Sequence, residues 1–470
     1  MIMAESGSTR KLQVVVGLVL GVFIAVYRVL PTEANETQTE AVRLAVSAAF
    51  FSTSLALVCG FLSVGLPFVI GALPILLVLR SGGAIYGSAV DLFYLVVAAV
   101  ACYRLPRSDL GQKVRIGGRW WLLLFAVWCT AQAALEVPRA GTGAFVLPVR
   151  ITTFFIVVYI MARRMTRETF RITLCALIAG CGAVLAWTLS TSSLSTLFTL
   201  RLGNDLGLNP NLIGEFAVLL VFSVILLLVL QEETSIGGFS FLALLLGATL
   251  VFLSGSRVAF IQLGFALLLV LVRFRLIRTV TLLISFAMVL TLAIGPDVVA
   301  EGVRQSEQYG RLIDLERGQR SDLSRLAWQL AAGNPAFGVG PDNFVEYSVG
   351  RGLSEESGEG TYHHDAIAGT AAEFGFVGLG FFLLWYLSFL GSRAVGRRYS
   401  VFVVLLSGVA MVEGVTHGLF LDAFGSLPFL LALLAERFVV RAQTGRGPRV
   451  AGSLGASAVV ISTRPPPLPT

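Results

Sequence analysis

Charged residues are scarce in this sequence. Only 13% of its 470 residues are Asp, Glu, Lys or Arg, where a soluble domain carries about a quarter, and 56% are hydrophobic, with a mean hydropathy of +0.83. That balance excludes an ordinary soluble domain and implies an integral membrane protein. Cysteine is sparse and scattered: of five, Cys59, Cys102, Cys129 and Cys175 fall inside apolar runs, so neither a disulfide framework nor a Cys-based metal site is expected. Histidine is rarer still, with three in the whole chain, His363, His364 and His417. Asp314-Leu315-Glu316 is a lone acid-x-acid pair in an acidic loop, too weak a signal to imply a metal. The net charge of +7 is not a nucleic-acid footprint either, because the basic residues sit in short loops between apolar runs.

What is present is a succession of runs long enough to cross a bilayer, roughly 17–25 residues each. They fall at 12–30, 42–60, 62–79, 87–103, 119–137, 144–162, 171–191, 212–230, 237–253, 258–272, 278–295, 366–391, 400–416 and 419–437. The expected fold is all-α, a polytopic transmembrane helical bundle of about 12–14 spans with one long helical extracytoplasmic loop. Residues 1–11 read as a cytoplasmic tail, 12–295 as transmembrane helices, 296–365 as the outer loop, 366–437 as further transmembrane helices and 438–470 as a disordered tail rich in Gly, Pro and Ser. The first run follows Arg10 and Lys11 without a clean small-residue cleavage site, and reads as the first spanning helix, not a signal peptide.

Orientation follows from the loops. An N-terminus inside places the basic segments 103–119, 163–171, 273–278, 392–400 and the tail after Arg437 inside, and the acidic or neutral segments 31–40, 137–143 and the long loop outside. The segment 231–238, QEETSIGG, breaks the rule.

That topology sends four chemically unusual features to one outer face: TLRLGNDLGLNPN (199–211), SGSR (254–257), the long loop, and the His363-His364 pair of EGTYHHDAIAG (359–369). Asn211 is expected to cap a helix start. Arg257 opens an apolar run, where it serves either as a snorkelling anchor or as a functional cation. In the loop, Leu323, Leu326, Ala327 and Leu330 recur at helical spacing, which predicts an amphipathic helix on the membrane surface with Arg325 and Trp328 at its interface, Arg325 meeting water or substrate. An imidazole titrates near pH 6.5 and can move a proton at neutral pH, or it can simply cap a helix. Arginines suited to an anion beside such an imidazole raise the chemical reading above the structural one.

The stretch 199–380 resembles the O-antigen ligase and polymerase superfamily, multi-spanning glycosyltransferases of bacterial envelopes. The resemblance rests on Arg201 with Asn209-Pro210-Asn211, Ser254 to Arg257, Arg325 with Trp328, Asn334-Pro335, Gly338 and Gly340, His364, and Glu373 with Gly375. Asp365 departs from the Asn commonly found after the His; spacing to Glu373 favours His364 over His363 as the functional residue. The resemblance implies a GT-C-like, metal-independent transferase without cofactor, moving a glycan from a polyprenyl (undecaprenyl) diphosphate carrier at the outer face of the bacterial inner membrane. It implies Arg201, Arg257 and Arg325 on the diphosphate and His364, or His363, as the base. Asn211, Ser256, Trp328, Asp365 and Glu373 would support them. Acceptors would be a glycan, lipid A-core or a protein, with membrane lipid as the only other partner and no nucleic acid.

Two rivals stand beside an O-antigen ligase. A repeat-unit polymerase uses the same donor chemistry. A transporter or flippase would place charges near the bilayer midplane, where the candidates are Asp91, Glu215 and Glu413.

Overall fold

A computed structural model describes residues 2–27, 49, 52–59, 61–80, 119–140, 145, 148–149, 152, 165–192, 202, 210–231, 238–274, 319–341, 343–353, 366–390 and 431. The described residues are overwhelmingly helical and contain no strand. In chain order the helices are α1 (Ile2–Tyr27), α2 (Leu62–Arg80), α3 (Arg119–Ala140), α4 (Arg167–Thr191), α5 (Pro210–Leu230), α6 (Gly238–Ser254), α7 (Arg257–Phe274), α8 (Gln319–Gly333), α9 (Asn343–Gly350) and α10 (Ala366–Leu390). Three of them, α4, α5 and α10, contain stretches long and apolar enough to cross a membrane, and shorter apolar stretches lie in α2, α3, α6 and α7. The runs expected at 87–103, 278–295 and 400–416 lie outside the described residues, as do most of 42–60, 144–162 and 419–437.

The helices pack in two sets. In the first, α2 lies on α4, α4 on α5, α5 on α6 and α7, and α1 covers α2 and α4. In the second, α3, α8 and α9 all pack on α10. Buried side chains of both sets belong to one apolar core. Inside a bilayer, apolar area gives helices no reason to prefer each other over lipid, so close backbone approach has to do that work. A Cβ on Gly71 would come within 2.6 Å of Ala176 Cβ, and one on Gly180 would strike the Gly71 carbonyl oxygen. These glycines let α2 and α4 touch backbone to backbone.

Contacts at the helix ends give the relative directions. Lys11 Nζ lies 3.7 Å from Glu168 Oε1, so α4 begins near the early turns of α1. The Arg167 guanidinium donates to the Leu230 carbonyl, so α5 ends where α4 begins. Trp121 stacks on Phe381 while Phe125 meets Phe374 and Phe382, so α3 and α10 run antiparallel.

The amphipathic helix α8 is present, and its apolar stripe is covered by protein. Leu323, Leu326 and Ala327 are buried against Ala368 and Ala372 of α10 and Phe344 of α9. Burying each large side chain is worth roughly 1.5–3 kcal/mol, a term satisfied by protein with no need of lipid.

Candidate functional site

Two corners hold the residues singled out in the sequence. The first is the Ser-Gly-Ser-Arg break. α6 ends at Ser254, Gly255 turns the chain at φ 60°, and α7 starts at Arg257. Ser254 Oγ accepts from the Ser256 N–H at 3.2 Å, and Ser256 Oγ accepts from the Ala259 N–H at 3.4 Å. Ser256 is therefore the N-cap of α7, satisfying a donor that the helix cannot satisfy internally. Both serines are buried, which fixes the cap against its neighbours.

The neighbour is the first turn of α5. A Cβ on Gly214 would fall 2.7 Å from Ser254 Oγ and 2.9 Å from the Cβ atoms of Ser256 and Ala259. The starts of α5 and α7 thus meet, and both present the positive end of a helix dipole. Leu202 joins them, its N–H donating to the Leu253 carbonyl at 3.0 Å. Arg201 itself lies outside the described residues; the backbone immediately after it is anchored at this corner. Arg257 is the first residue of α7. A cation there is disfavoured by the dipole by about 0.3–1 kcal/mol, a cost that an anion beside it would reverse. The N–H groups of Arg257 and Val258 precede the first intrahelical bond, from Phe260 N–H to the Ser256 carbonyl, and are aimed out of the helix end.

Asn211 is not the cap that the sequence suggested. α5 begins at Pro210, a first-turn position where the missing N–H costs nothing, and this leaves Asn211 inside the first turn. Glu215 is buried at 8% exposure. It lies five residues from the start of α5, about 8 Å along the axis at 1.5 Å per residue. That places it beside the break, away from midspan.

The second corner joins the loop after α8 to a break inside α10. Gly375 has φ 68° and ψ −178°, a region essentially closed to other residues. The groups that would bond across that point in a continuous helix are satisfied by the loop. The Phe376 N–H donates to the Pro335 carbonyl at 2.7 Å, and the Ala372 carbonyl accepts from the Val339 N–H at 2.7 Å. The Glu373 carbonyl accepts from the Gly340 N–H at 3.0 Å. Gly338, at φ 71°, leaves room for this: a Cβ there would lie 2.5 Å from the Ala372 oxygen. Glu373 itself is buried at 3% exposure.

Helix α3 closes the clasp from the other side. Trp128 Nε1 donates to the Phe374 carbonyl at 3.1 Å, and its ring stacks on Phe337 of the loop at 5.3 Å and 14°. Asn343 Nδ2 donates to Glu136 Oε2 at 3.3 Å and to the Val339 carbonyl at 2.7 Å. Trp328 stacks on Phe376, centroids 6.4 Å apart, while Arg325 is exposed on the same helix.

The structure thus places Ser256 with the start of α7 and the first turn of α5, and Trp328 and Glu373 with the clasp. His363, His364 and Asp365 lie just before α10, outside the described residues. Trp128, Glu136 and Asn343 were missed by the sequence reading. The available signal was a polar stripe, Gln132 and Glu136, inside an otherwise apolar run. Among the described residues no group of three or more His, Cys, Asp or Glu is placed to hold a metal.

In comparison with known families, residues 242–383 fit the family model described as O-antigen ligase. The matched stretch begins in α6 and ends in α10, so it takes in the Ser-Gly-Ser-Arg break and the whole clasp loop, and leaves α1 to α5 outside. No curated protein matches the chain at a significant level.

Proposed function

We propose, from the match of residues 242–383 to the O-antigen ligase family model, that this chain is a membrane glycosyltransferase of the ligase type. It takes a glycan from a polyprenyl diphosphate carrier and passes it to an acceptor hydroxyl or amide, on the outer face of a bacterial inner membrane. The observation that carries this reading is the corner where Arg257 opens α7 on a buried serine cap, packed against the start of α5. Two helix N-termini meeting at one point favour an anion, an arginine is the first residue of one of them, and a lipid diphosphate is an anion presented at a membrane edge.

In the proposed reaction the acceptor oxygen attacks the anomeric carbon and the bond from that carbon to the diphosphate oxygen breaks. Negative charge grows on the departing diphosphate. Arg201, Arg257 and Arg325 hold it, which makes a metal unnecessary. His364 takes the acceptor proton, with His363 as its neighbour and Asn211, Ser256, Trp328, Asp365 and Glu373 in support. The GT-C-like, polytopic arrangement with an extracytoplasmic 296–365 loop belongs to the same proposal. Transport is the weaker reading: Glu215 lies about 8 Å into α5, next to the Ser-Gly-Ser-Arg break, and the other two candidates, Asp91 and Glu413, lie outside the described residues.

The test is transfer in detergent with a polyprenyl-diphosphate oligosaccharide, a lipid A-core acceptor and EDTA. Wild type is expected to be active, and His364→Ala and Arg257→Ala to lose product. Full activity in both variants would refute the site. A ladder of chain lengths formed from donor alone would replace the ligase by a polymerase.

A further inference from the structure

We propose that Trp128, on α3 and outside the region matched by the family model, is a positioning residue for the transfer reaction. It acts by locking the break of α10 to the loop that follows α8. The inference rests on the proposed transferase reading, because what it positions is the start of α10, two residues after His364 in the sequence.

The indole touches three separately encoded pieces. Its Nε1–H bonds the Phe374 carbonyl at 3.1 Å, on the N-terminal side of the break. Its Cδ1 and Nε1 lie 3.3 Å from where a Cβ on Gly378 would be, on the C-terminal side. Its face stacks on Phe337 of the loop. The N-terminal half of α10 is bonded to the loop by main-chain bonds at Ala372 and Glu373, and to α8 by the small core around Leu326 and Ala372. These pieces are joined to one another by hydrogen bonds and packing. Trp128 ties them to α3, with Glu136 making the second tie through Asn343. His364 precedes the first residue of α10 by two positions in the sequence, and this short separation is why the angle of that half-helix is proposed to matter for the reaction. The anion corner at Arg257 belongs to other helices and does not depend on this tie.

Geometry of this kind separates rate from binding. Trp128→Phe keeps the stacking ring and removes the one N–H donor. Misplacing a reacting group by about 1 Å costs about 100-fold in rate, so kcat is expected to fall about 10- to 100-fold. Donor KM and thermal stability should stay near wild type. Glu136→Gln, which retains an acceptor for Asn343, is expected to behave as wild type, and Glu136→Ala to lose kcat in the same direction as Trp128→Phe. Should Trp128→Phe fail to fold, the Glu136 pair carries the test alone.

His364→Ala is assayed in parallel. If Trp128→Phe and Glu136→Ala keep wild-type kcat per folded enzyme while His364→Ala is inactive, the positioning role is wrong and the transferase reading survives. A rise in donor KM in step with the loss of kcat also overturns the positioning role. If His364→Ala is fully active, the site reading itself has failed, and the positioning role fails with it.

Discussion

Substituting Gly375 by alanine confronts α10 with two alternatives, both costly. If the break is kept, alanine must adopt φ 68° and ψ −178°, which costs about 1–3 kcal/mol. Its Cβ would also strike the Ala336 carbonyl and come within 2.7 Å of Phe337 N. If the helix straightens instead, the Phe376 N–H recovers the Ala372 carbonyl within α10. The three main-chain bonds to Pro335, Val339 and Gly340 are then lost, at about 1 kcal/mol each. Either route costs about 2–4 kcal/mol, a large part of the 5–15 kcal/mol that typically holds a fold together. Gly380 supplies the control, since it lies in the same helix and a Cβ there would have nothing within 4 Å; alanine at that position is expected to be neutral or to stabilise by about 1 kcal/mol. Equilibrium unfolding in mixed micelles, on purified Gly375→Ala and Gly380→Ala proteins, reads the difference directly. Equal stability of the two variants would show that the clasp does not hold the break.

Ser256→Ala removes the cap of α7 and is expected to destabilise by about 0.5–2 kcal/mol. Ser256→Asp keeps a capping oxygen and so should restore stability, but its charge stands where the diphosphate is proposed to bind; a raised donor KM at near-normal stability is expected, and an unchanged KM would count against an anion there. Arg325 is exposed, so Arg325→Ala should leave unfolding unchanged within about 0.5 kcal/mol while lowering transfer; loss of stability would reveal a structural role instead. Gln132 is buried at 4% exposure with neither its amide oxygen nor nitrogen bonded. Gln132→Leu is therefore expected to stabilise by about 1–3 kcal/mol, the desolvation cost of such a group, and a destabilised variant would mean that the amide has a partner in the folded protein.

Helix positions were legible because bilayer crossing writes itself into composition: the runs expected at 212–230, 237–253 and 258–272 coincide within two residues with α5, α6 and α7. The Ser-Gly-Ser-Arg break was legible too, since Gly and Ser interrupt an apolar run at only one kind of place. The helix start was expected later than it is, because Pro210 at the first helical position sets the boundary ahead of Asn211. What covers the apolar face of α8 was not legible. Helical periodicity shows that a face is apolar and says nothing about which surface covers it, and here α10 does. Trp128 was invisible because tryptophan in an apolar run looks like lipid-facing bulk; only the carbonyl that the α10 break leaves for it gives the indole a task.

The motifs that carried the family resemblance divide by what they touch. Asn334-Pro335, Gly338, Gly340 and Glu373-Gly375 meet one another: Pro335, Gly340 and the Glu373 backbone are joined by hydrogen bonds, and Gly338 and Gly375 clear the space for them. Replacing one without its partner would leave main-chain groups unsatisfied in the clasp. Their joint occurrence thus has a structural explanation in the main chain. Ser256 and Arg257 have no such mutual explanation. The serine cap accounts for Ser256, whereas the arginine stands at the end of a helix whose dipole opposes it. Comparing transfer and stability in Arg257→Ala therefore separates a substrate role from a structural one at this position.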